Sequence, residues 1–463
     1  MKNEQDTLGR IMTHLVPWLQ KKMPMALHVA ISDIQKPGMG LSNETYLFDL
    51  SWDQEGKRMK KGLVLRAAPL DQKVFPDYHL EHQFLVMGSL KQSTVPVPEM
   101  LWHEENPDVI GTPFYIMERL NGTMPKDYPS YHGSGVYFDA SPEERAAMWW
   151  NGLAVMAGTN MTDWKKLRLD FLGVPGAGTD PIDRQLAYWE RFFNWLKETP
   201  AEHYPILEES MRWLEANKYE PERVSLCWGD ARMGNILYGE PGYDVVAVLD
   251  WEMAFLGDPE ADLAWYIFMD WYLSAEYSLK RLPGSPGREE TIRRYEELTG
   301  WKVKHFEYNE VFAAMRFGMI LISVLKKMKQ RGVPIADDMF HNNCCTRRIA
   351  EILGVQPPGE QKKSKNIKED TVTIQFSLSG PGGSEWFIVS EKGIARRHEG
   401  RTEEPTCMVK ATAEDWGNLQ NGTLNQLEAW KSGRLIVDGD LKVMIDLKDE
   451  ISRLQSEQSC SEV

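Results

Sequence analysis

The spacing of apolar positions divides the chain into three stretches. Between about residues 30 and 120 the apolar runs are short and end in turn residues. "ETYLFDLSW" and "KKGLVLRAAP" flank the polar stretch "DQEGKRMKK", which predicts a β-hairpin with that stretch as its turn. "YHLEHQFLVMGSLKQ" sets Leu80, Phe84, Leu85, Met87 and Leu90 close to one helical face. "PFYIMERL" reads as a buried strand running into Asn121-Gly122. From about residue 140 the period lengthens to that of helices. "SPEERAAMWWNGLAVMAGTNM" opens with Ser141 as N-cap, Pro142 at the first helical position and Glu144 three residues after the cap. "PIDRQLAYWERFFNWLKE" and "NEVFAAMRFGMILISVLKKMKQRG" keep the same period. Their aromatic and Met stripes are the faces that burial requires.

The third stretch follows a break. "GVQPPGEQKKSKNIKED" (Gly354–Asp370) is polar, Lys-rich and aperiodic, as linkers are. Beyond it "TVTIQFSLSG" and "WFIVSEKGIARR" alternate strictly, "TCMVKATAE" reads as a strand, and two amphipathic segments run to about 455. The expected organisation is α+β throughout. Residues 1–120 form a β-rich lobe, 121–354 a helical lobe, 355–369 a linker, 370–456 a small α+β unit, and 457–463 a frayed tail.

Composition narrows the function classes. A chain of 463 residues exceeds one compact core, and 42% hydrophobic with 26% charged residues is ordinary for a globular protein. The net charge of −15 argues against nucleic acid or an anionic membrane as partner. Cys227, Cys344, Cys345, Cys407 and Cys460 show no paired spacing, which suits a reducing compartment. "IMTHLVPWL" is broken by His14 and Pro17 and followed by Lys21 and Lys22, so it reads as a small amphipathic helix and not a signal peptide. No window reaches the ~18–20 apolar residues of a membrane span. A cytoplasmic location is expected.

The candidate chemistry lies in "LCWGDARMGNILYGEPGYDVVAVLDWE" (226–252). Moving a phosphoryl group from ATP needs oxygen ligands for a divalent metal, a group that orients the attacking hydroxyl, and charge to neutralise the moving group. "ILYG" and "VVAVLD" surround the turn "EPGYD", so a hairpin returns Asn235 and Asp250 toward one another at its open end. Asp230, on the preceding loop, would orient or deprotonate the hydroxyl. Asn235 and Asp250 would hold Mg²⁺, with Arg232 against the moving phosphoryl group. Taken singly, Gly229-Asp230 and Gly234-Asn235 are ordinary turn formers. Three polar residues in this order around an apolar hairpin favour the phosphate reading.

"WGDARMGNILYG" with "VVAVLDWEMAFLGDPEADLAW" resembles the catalytic segment of the aminoglycoside phosphotransferase (APH) family, nearest its acyl-CoA dehydrogenase 10/11-type branch. The resemblance reaches to about residue 350 and implies a bilobal protein-kinase-like fold using ATP and Mg²⁺. Asp230, Asn235, Asp250, Trp251, Glu252, Gly257, Asp258, Pro259 and Asp262 match the family pattern. Trp228 departs from it, standing where the family has His. "PGMGLSNETYLFDL" resembles the nucleotide loop, where Gly38 and Gly40 would let backbone amides approach phosphate and Ser42 or Asn43 would add donors. "LVLRAAP" resembles the strand carrying the phosphate-contacting cation, here Arg66. The helix carboxylate that should pair with it falls at Gln83, with Glu81 two residues away. "YIMERLNG" resembles the hinge, with backbone groups of Glu118 and Leu120 for adenine. Asp262 begins an apolar helix, which points to a capping role.

"TVTIQFSL", "EWFIVSEKGIA" and the run to "SGRLIVDGD", with Gly433, Gly439 and Asp440, resemble the sterol carrier protein 2 (SCP2) family. That family implies a five-stranded sheet and an apolar tunnel for acyl, acyl-CoA or sterol-like ligands. Trp386, Phe387, Ile388, Trp416, Leu419, Leu427 and Trp430 could equally fill a small core, and the unit could serve as a scaffold or join a homodimer. The leading expectation is an ATP- and Mg²⁺-dependent kinase for a hydroxyl on a hydrophobic small molecule, such as a hydroxyacyl-CoA or sterol-like alcohol. The alternatives are an antibiotic phosphotransferase and a nucleotide-gated lipid carrier with little kinase activity.

Overall fold

The computed structural model describes residues 2–37, 42–70, 73–173, 180–333, 335–356, 371–391, 394–403, 405–420, 423–424, 429 and 434–439. The chain divides into two compact units, Met1–Val324 with His341–Pro357, and Leu325–Phe340 with Pro358–Val463. No helix among the described residues is long and apolar enough to cross a membrane.

The first unit starts with α1 (Lys2–Lys22), followed by β1 (Leu27–Gln35), β2 (Glu44–Gln54), β3 (Lys57–Ala67), α2 (Leu80–Leu90), β4 (Met100–Glu104) and β5 (Phe114–Glu118). The five strands form an antiparallel sheet in the order β1-β2-β3-β5-β4. Tyr46, Phe48 and Leu50 alternate along β2, as Leu63, Leu65 and Ala67 do along β3, so one face of the sheet is apolar. Ile11, Leu15, Trp18 and Leu19 form the apolar face of α1 and belong to the same core. The amphipathic helix at the N-terminus is therefore longer than "IMTHLVPWL" suggested, and it holds the sheet.

Two local expectations are corrected. The polar stretch after "ETYLFDLSW" is strand on both sides of a two-residue loop, with Gln54 opposite Lys57. Glu55 and Gly56 take φ of 52° and 76°, the left-handed pair that suits a tight hairpin, so the charged residues are exposed strand positions. On α2 the buried positions are Leu80, Gln83, Val86, Met87 and Leu90, while Leu85 is exposed.

The helical part comprises α3 (Val136–Asp139), α4 (Pro142–Asn160), α5 (Pro181–Leu196), α6 (Pro205–Ala216), β6 (Ser225–Cys227), β7 (Ile236–Tyr238), β8 (Val245–Val248), β9 (Phe255–Gly257), α7 (Glu260–Ala275), α8 (Arg288–Thr299), α9 (Phe306–Gln330) and α10 (Cys344–Leu353). Ser141 Oγ accepts the Glu144 N–H at 3.2 Å, and Glu144 Oε2 accepts the Ser141 N–H at 2.7 Å. This box starts α4 and contributes about 1 kcal/mol. β6 pairs with β9 and β7 with β8, both antiparallel. These two short ribbons carry the candidate site, and the largely buried α7 lies directly after β9.

The second unit contains β10 (Val372–Ser379), β11 (Glu385–Glu391), β12 (Ile394–Glu399), β13 (Cys407–Thr412), α11 (Ala413–Gln420) and β14 (Leu435–Gly439). Its sheet runs β12-β11-β10-β13-β14, with β10 and β13 parallel. Trp386 lies flat on Phe376, centroids 3.8 Å apart, over a core that includes Ile374, Ile388 and Val409. Alternation turns Phe387 to the other face, where it stacks on His398 at 5.1 Å. Trp416 and Leu419 pack against the core from α11. Gly439 ends β14 opposite Cys407. Leu427, Trp430, Gly433, Asp440, most of the linker and the segment to 455 lie outside the described residues.

Candidate active site

After β6 the chain turns at Gly229, whose φ is 87°. A Cβ there would strike the backbone of Met253, so glycine is required. The loop then carries Asp230 and Arg232 into a 3-10 turn, Met233–Asn235. Ile236 faces Val248 across the β7–β8 hairpin, and the Leu249 N–H donates to the Asn235 carbonyl at 2.9 Å. The open end of the hairpin therefore brings Asn235 next to the segment bearing Asp250. Asp250 has a φ of 59°, a conformation that costs a non-glycine residue about 1–3 kcal/mol.

Asp230 is buried and both of its carboxylate oxygens accept hydrogen bonds. Asn235 Nδ2 donates to Oδ2 at 2.7 Å, Trp265 Nε1 to Oδ1 at 2.9 Å, and Arg232 Nε to both oxygens at 2.9 and 3.0 Å. Burial first, and then the charge of Asp250, push its pKa up to about 7. Arg232 is also ion-paired with Asp127, and burial pulls the guanidinium below its ordinary value. Arg66 reaches Asp250 Oδ1 through Nη2 at 3.2 Å. Burial opposes its charge, but Asp250, Tyr115 and Glu252 outweigh burial and hold Arg66 protonated. Glu252 is pushed up to about 8 by burial and then by Asp250. Asn43 Nδ2 donates to Glu252 Oε2 at 2.7 Å, and Ser42 adds a side-chain hydrogen bond.

The loop is held from below by Asp262. Its Oδ2 accepts the Trp228 N–H at 2.7 Å and Asn160 Nδ2 at 2.9 Å, while Oδ1 accepts the Gly229 N–H at 2.8 Å. The N-cap of α7 is Pro259, so Asp262 does not cap its own helix. It terminates the free N–H groups of the loop that follows β6, three strands earlier. Trp228 is fully buried, and its Nε1 donates to the carbonyls of Leu249 and Asp250 at 2.9 and 3.2 Å. The indole thus ties the Asp230 loop to the Asp250 segment.

The structure brings Asp230, Arg232, Asn235, Asp250 and Arg66 into one connected set. It joins Ser42 and Asn43 to that set through Glu252, while Gly38 and Gly40 lie outside the described residues. Gln83 turns to Tyr115, whose hydroxyl donates to Oε1 at 3.1 Å, and Glu81 is exposed. Neither supplies a carboxylate to Arg66, whose partner is Asp250. At the end of β5 the Glu118 N–H is used by the Glu99 carbonyl at 2.9 Å. The Leu120 N–H has no partner among the described residues.

Four further residues belong to the set. Glu252 and Trp265 sit inside the quoted motifs, in "LDWE" and "DLAW", but nothing in their spacing assigned a role. Asp127 carried no signal. Arg316 had one, a lone cation in the apolar run "FAAMRFGMIL". As for a metal and a nucleotide, Asn235 uses its NH₂ on Asp230, which leaves Oδ1 free to accept, and Asp250 adds a carboxylate. Arg66 Nε and Asn43 Oδ1 are buried and have no hydrogen-bond partner among the described residues. Hard oxygen donors beside an unsatisfied guanidinium fit Mg²⁺ and phosphate.

Residues 33–284 match the family described as the phosphotransferase enzyme family, APH. Residues 351–451 match the SCP-2 sterol transfer family. The mouse protein named acyl-CoA dehydrogenase family member 10 is 31% identical over 297 residues, 62% of this chain and 26% of that protein. The chicken protein named acyl-CoA dehydrogenase family member 11 is 28% identical over 403 residues, 84% of this chain and 46% of that one. The chain thus spans less than half the length of these relatives. Among solved structures, a Ralstonia eutropha protein provisionally named an aminoglycoside phosphotransferase superposes with a TM-score of 0.53 at 24% identity. That superposition covers 73% of this chain and 95% of the other. It establishes a shared fold, with a β-rich lobe followed by a helical lobe.

Proposed function

The chain belongs to the APH phosphotransferase enzyme family, and on that premise we propose that it moves the terminal phosphoryl group of ATP to a hydroxyl of a hydrophobic small molecule. The observation that carries this reading is the buried carboxylate of Asp230, held by Asn235, Arg232 and Trp265 with Asp250 and Arg66 alongside.

Asp230 orients the substrate hydroxyl and accepts its proton as the oxygen attacks phosphorus. The bond to the departing ADP breaks with its electron pair on the ADP oxygen. A carboxylate whose proton affinity is raised by burial is a better base than an exposed one. Arg232 Nε steadies Asp230, and on this reading its guanidinium neutralises charge on the moving group. Asn235 Oδ1 and Asp250 would hold Mg²⁺, which when bound would neutralise charge on the phosphate oxygens. Arg66 and the Ser42–Asn43 segment face the phosphates, and the Leu120 N–H with the Glu118 carbonyl faces adenine. Asp127 is ion-paired with Arg232 and positioned to restrain it.

The acceptor is read from the second unit and the relatives. A match to a sterol transfer family, beside relatives named for acyl-CoA dehydrogenation, favours a hydroxyacyl-CoA or sterol-like alcohol over an aminoglycoside. On this reading the second unit is a lipid- or acyl-binding module. ADP release should be followed with 4-hydroxyacyl-CoAs, sterols and aminoglycosides as acceptors. Acceptor-dependent release only with the first two classes is expected; release only with aminoglycosides would overturn the substrate assignment.

A further inference from the structure

We propose that Arg316 is a positioning residue for Asp230, acting through Trp265: its guanidinium fixes the indole whose N–H holds one oxygen of the Asp230 carboxylate. The role rests on the reading of Asp230 above, while the contact itself can be tested without it.

Arg316 lies midway along α9 and is 1% exposed. Its guanidinium carbon is 4.4 Å from the Trp265 ring and 4.6 Å from Phe312, with Trp189 and Phe255 at 5.9 and 6.0 Å. Nε and Nη2 find no hydrogen-bond partner among the described residues. A buried cation with unsatisfied N–H groups is costly, and an apolar side chain of similar volume would fill this space without that cost. What an apolar residue could not supply is attraction to a ring face. The ring Arg316 touches most closely is the one that donates from Nε1 to Asp230 Oδ1 at 2.9 Å. Phe317 braces the same indole edge-on at 5.8 Å, so Trp265 is held on two sides.

Electrostatics agrees with the geometry. Burial pulls Arg316 down to about 10, and the charges of Asp262 and Asp230 counter that loss. In return the guanidinium favours the charged forms of Asp230 and Asp262, the two carboxylates that shape the loop. Arg316 is too deep to touch a substrate.

The test uses full-length protein with ¹⁵N-labelled tryptophan, the Trp265 indole signal being identified by its loss in Trp265→Phe. In Arg316→Met that signal should move and its N–H should exchange faster with water. Arg316→Lys, which keeps a cation against the rings, should leave it near the wild-type position. In parallel, slow MgATP hydrolysis should lose roughly 10-fold or more in kcat in Arg316→Met with KM for ATP nearly unchanged, and recover most of it in Arg316→Lys. Added to Trp265→Phe, Arg316→Met should cost less than about twofold further. An unmoved indole signal in a folded Arg316→Met would overturn the proposal. So would losses that multiply in the double variant, or an Arg316→Lys variant whose indole is displaced as far as in Arg316→Met. If wild-type protein hydrolyses no MgATP without an acceptor, the indole signal alone decides the role of Arg316, and the phosphotransferase reading is decided by the acceptor-dependent release of ADP.

Discussion

The carboxylate of Asp262 binds the backbone N–H of Trp228 at 2.7 Å, so the first turn of α7 fixes the loop that carries Asp230. Both oxygens are used, one on Trp228 and Asn160 and the other on Gly229. Asp262→Ala would leave three buried N–H donors without acceptors. We predict a stability loss of about 2–4 kcal/mol, read from urea midpoints, together with a drop in MgATP turnover of roughly 100-fold. Unchanged stability would show that the loop is held by something else.

Trp228 replaces a His of the family pattern, and its indole bridges to the Leu249 and Asp250 carbonyls. Trp228→Phe keeps most of the buried ring and removes that bridge. The expected outcome is about 1–2 kcal/mol of lost stability and a weaker apparent affinity for Mg²⁺, because Asp250 is no longer tied to the Asp230 loop. A Mg²⁺ titration of turnover gives the answer. Identical half-saturation in the two proteins would remove Trp228 from the account.

What the sequence revealed about this site, and what it hid, follows from how far each contact reaches. The hairpin that returns Asn235 to the Asp250 segment is local, and its apolar arms and turn residues announce it. Capping of α4 by Ser141 and Glu144 is equally local. The partner of Arg66 is another matter. Asp250 is 184 residues away and is chosen by the packing of the sheet against the hairpin, while Gln83 is occupied by Tyr115. Asp262 looked like a helix cap because its helix begins there, but its acceptors point away from α7 toward a loop earlier in the chain. Glu55-Gly56 shows the converse failure: charged side chains disguised two strand arms as a turn.

Asp230 moves from an ordinary value of 3.8 to about 7 in the metal-free protein, through burial and then Asp250. Between those values the folded state holds a proton that the unfolded state has released. The contribution of this group to stability is therefore fully present below the lower value and declines as pH rises toward the higher one. Asp230→Asn carries no charge and escapes the decline. In metal-free protein the Asn variant should gain on wild type by on the order of 2–4 kcal/mol between pH 4 and pH 8. Urea curves at the two pH values measure this. A difference that is flat, or that favours wild type at the higher pH, contradicts the assignment.

Arg66 is ion-paired with Asp250, and its buried Nε has no hydrogen-bond partner among the described residues. Arg66→Met should weaken MgATP binding by roughly 10- to 100-fold, with Arg66→Lys in between because an ammonium keeps charge but not the planar fork. Calorimetric titration with MgATP measures all three proteins. Equal affinity in wild type and Arg66→Met would place the phosphates elsewhere.

The central claim is that Asp230 takes the proton of a substrate hydroxyl while phosphorus changes partners. Its most direct test is the formation of phosphoester from MgATP and a 4-hydroxyacyl-CoA, followed by mass spectrometry in wild type and Asp230→Ala. Wild type should accumulate the phosphoester, and Asp230→Ala should bind MgATP normally yet form product about 10²–10⁴ times more slowly. Product formation at the wild-type rate in Asp230→Ala would contradict the account.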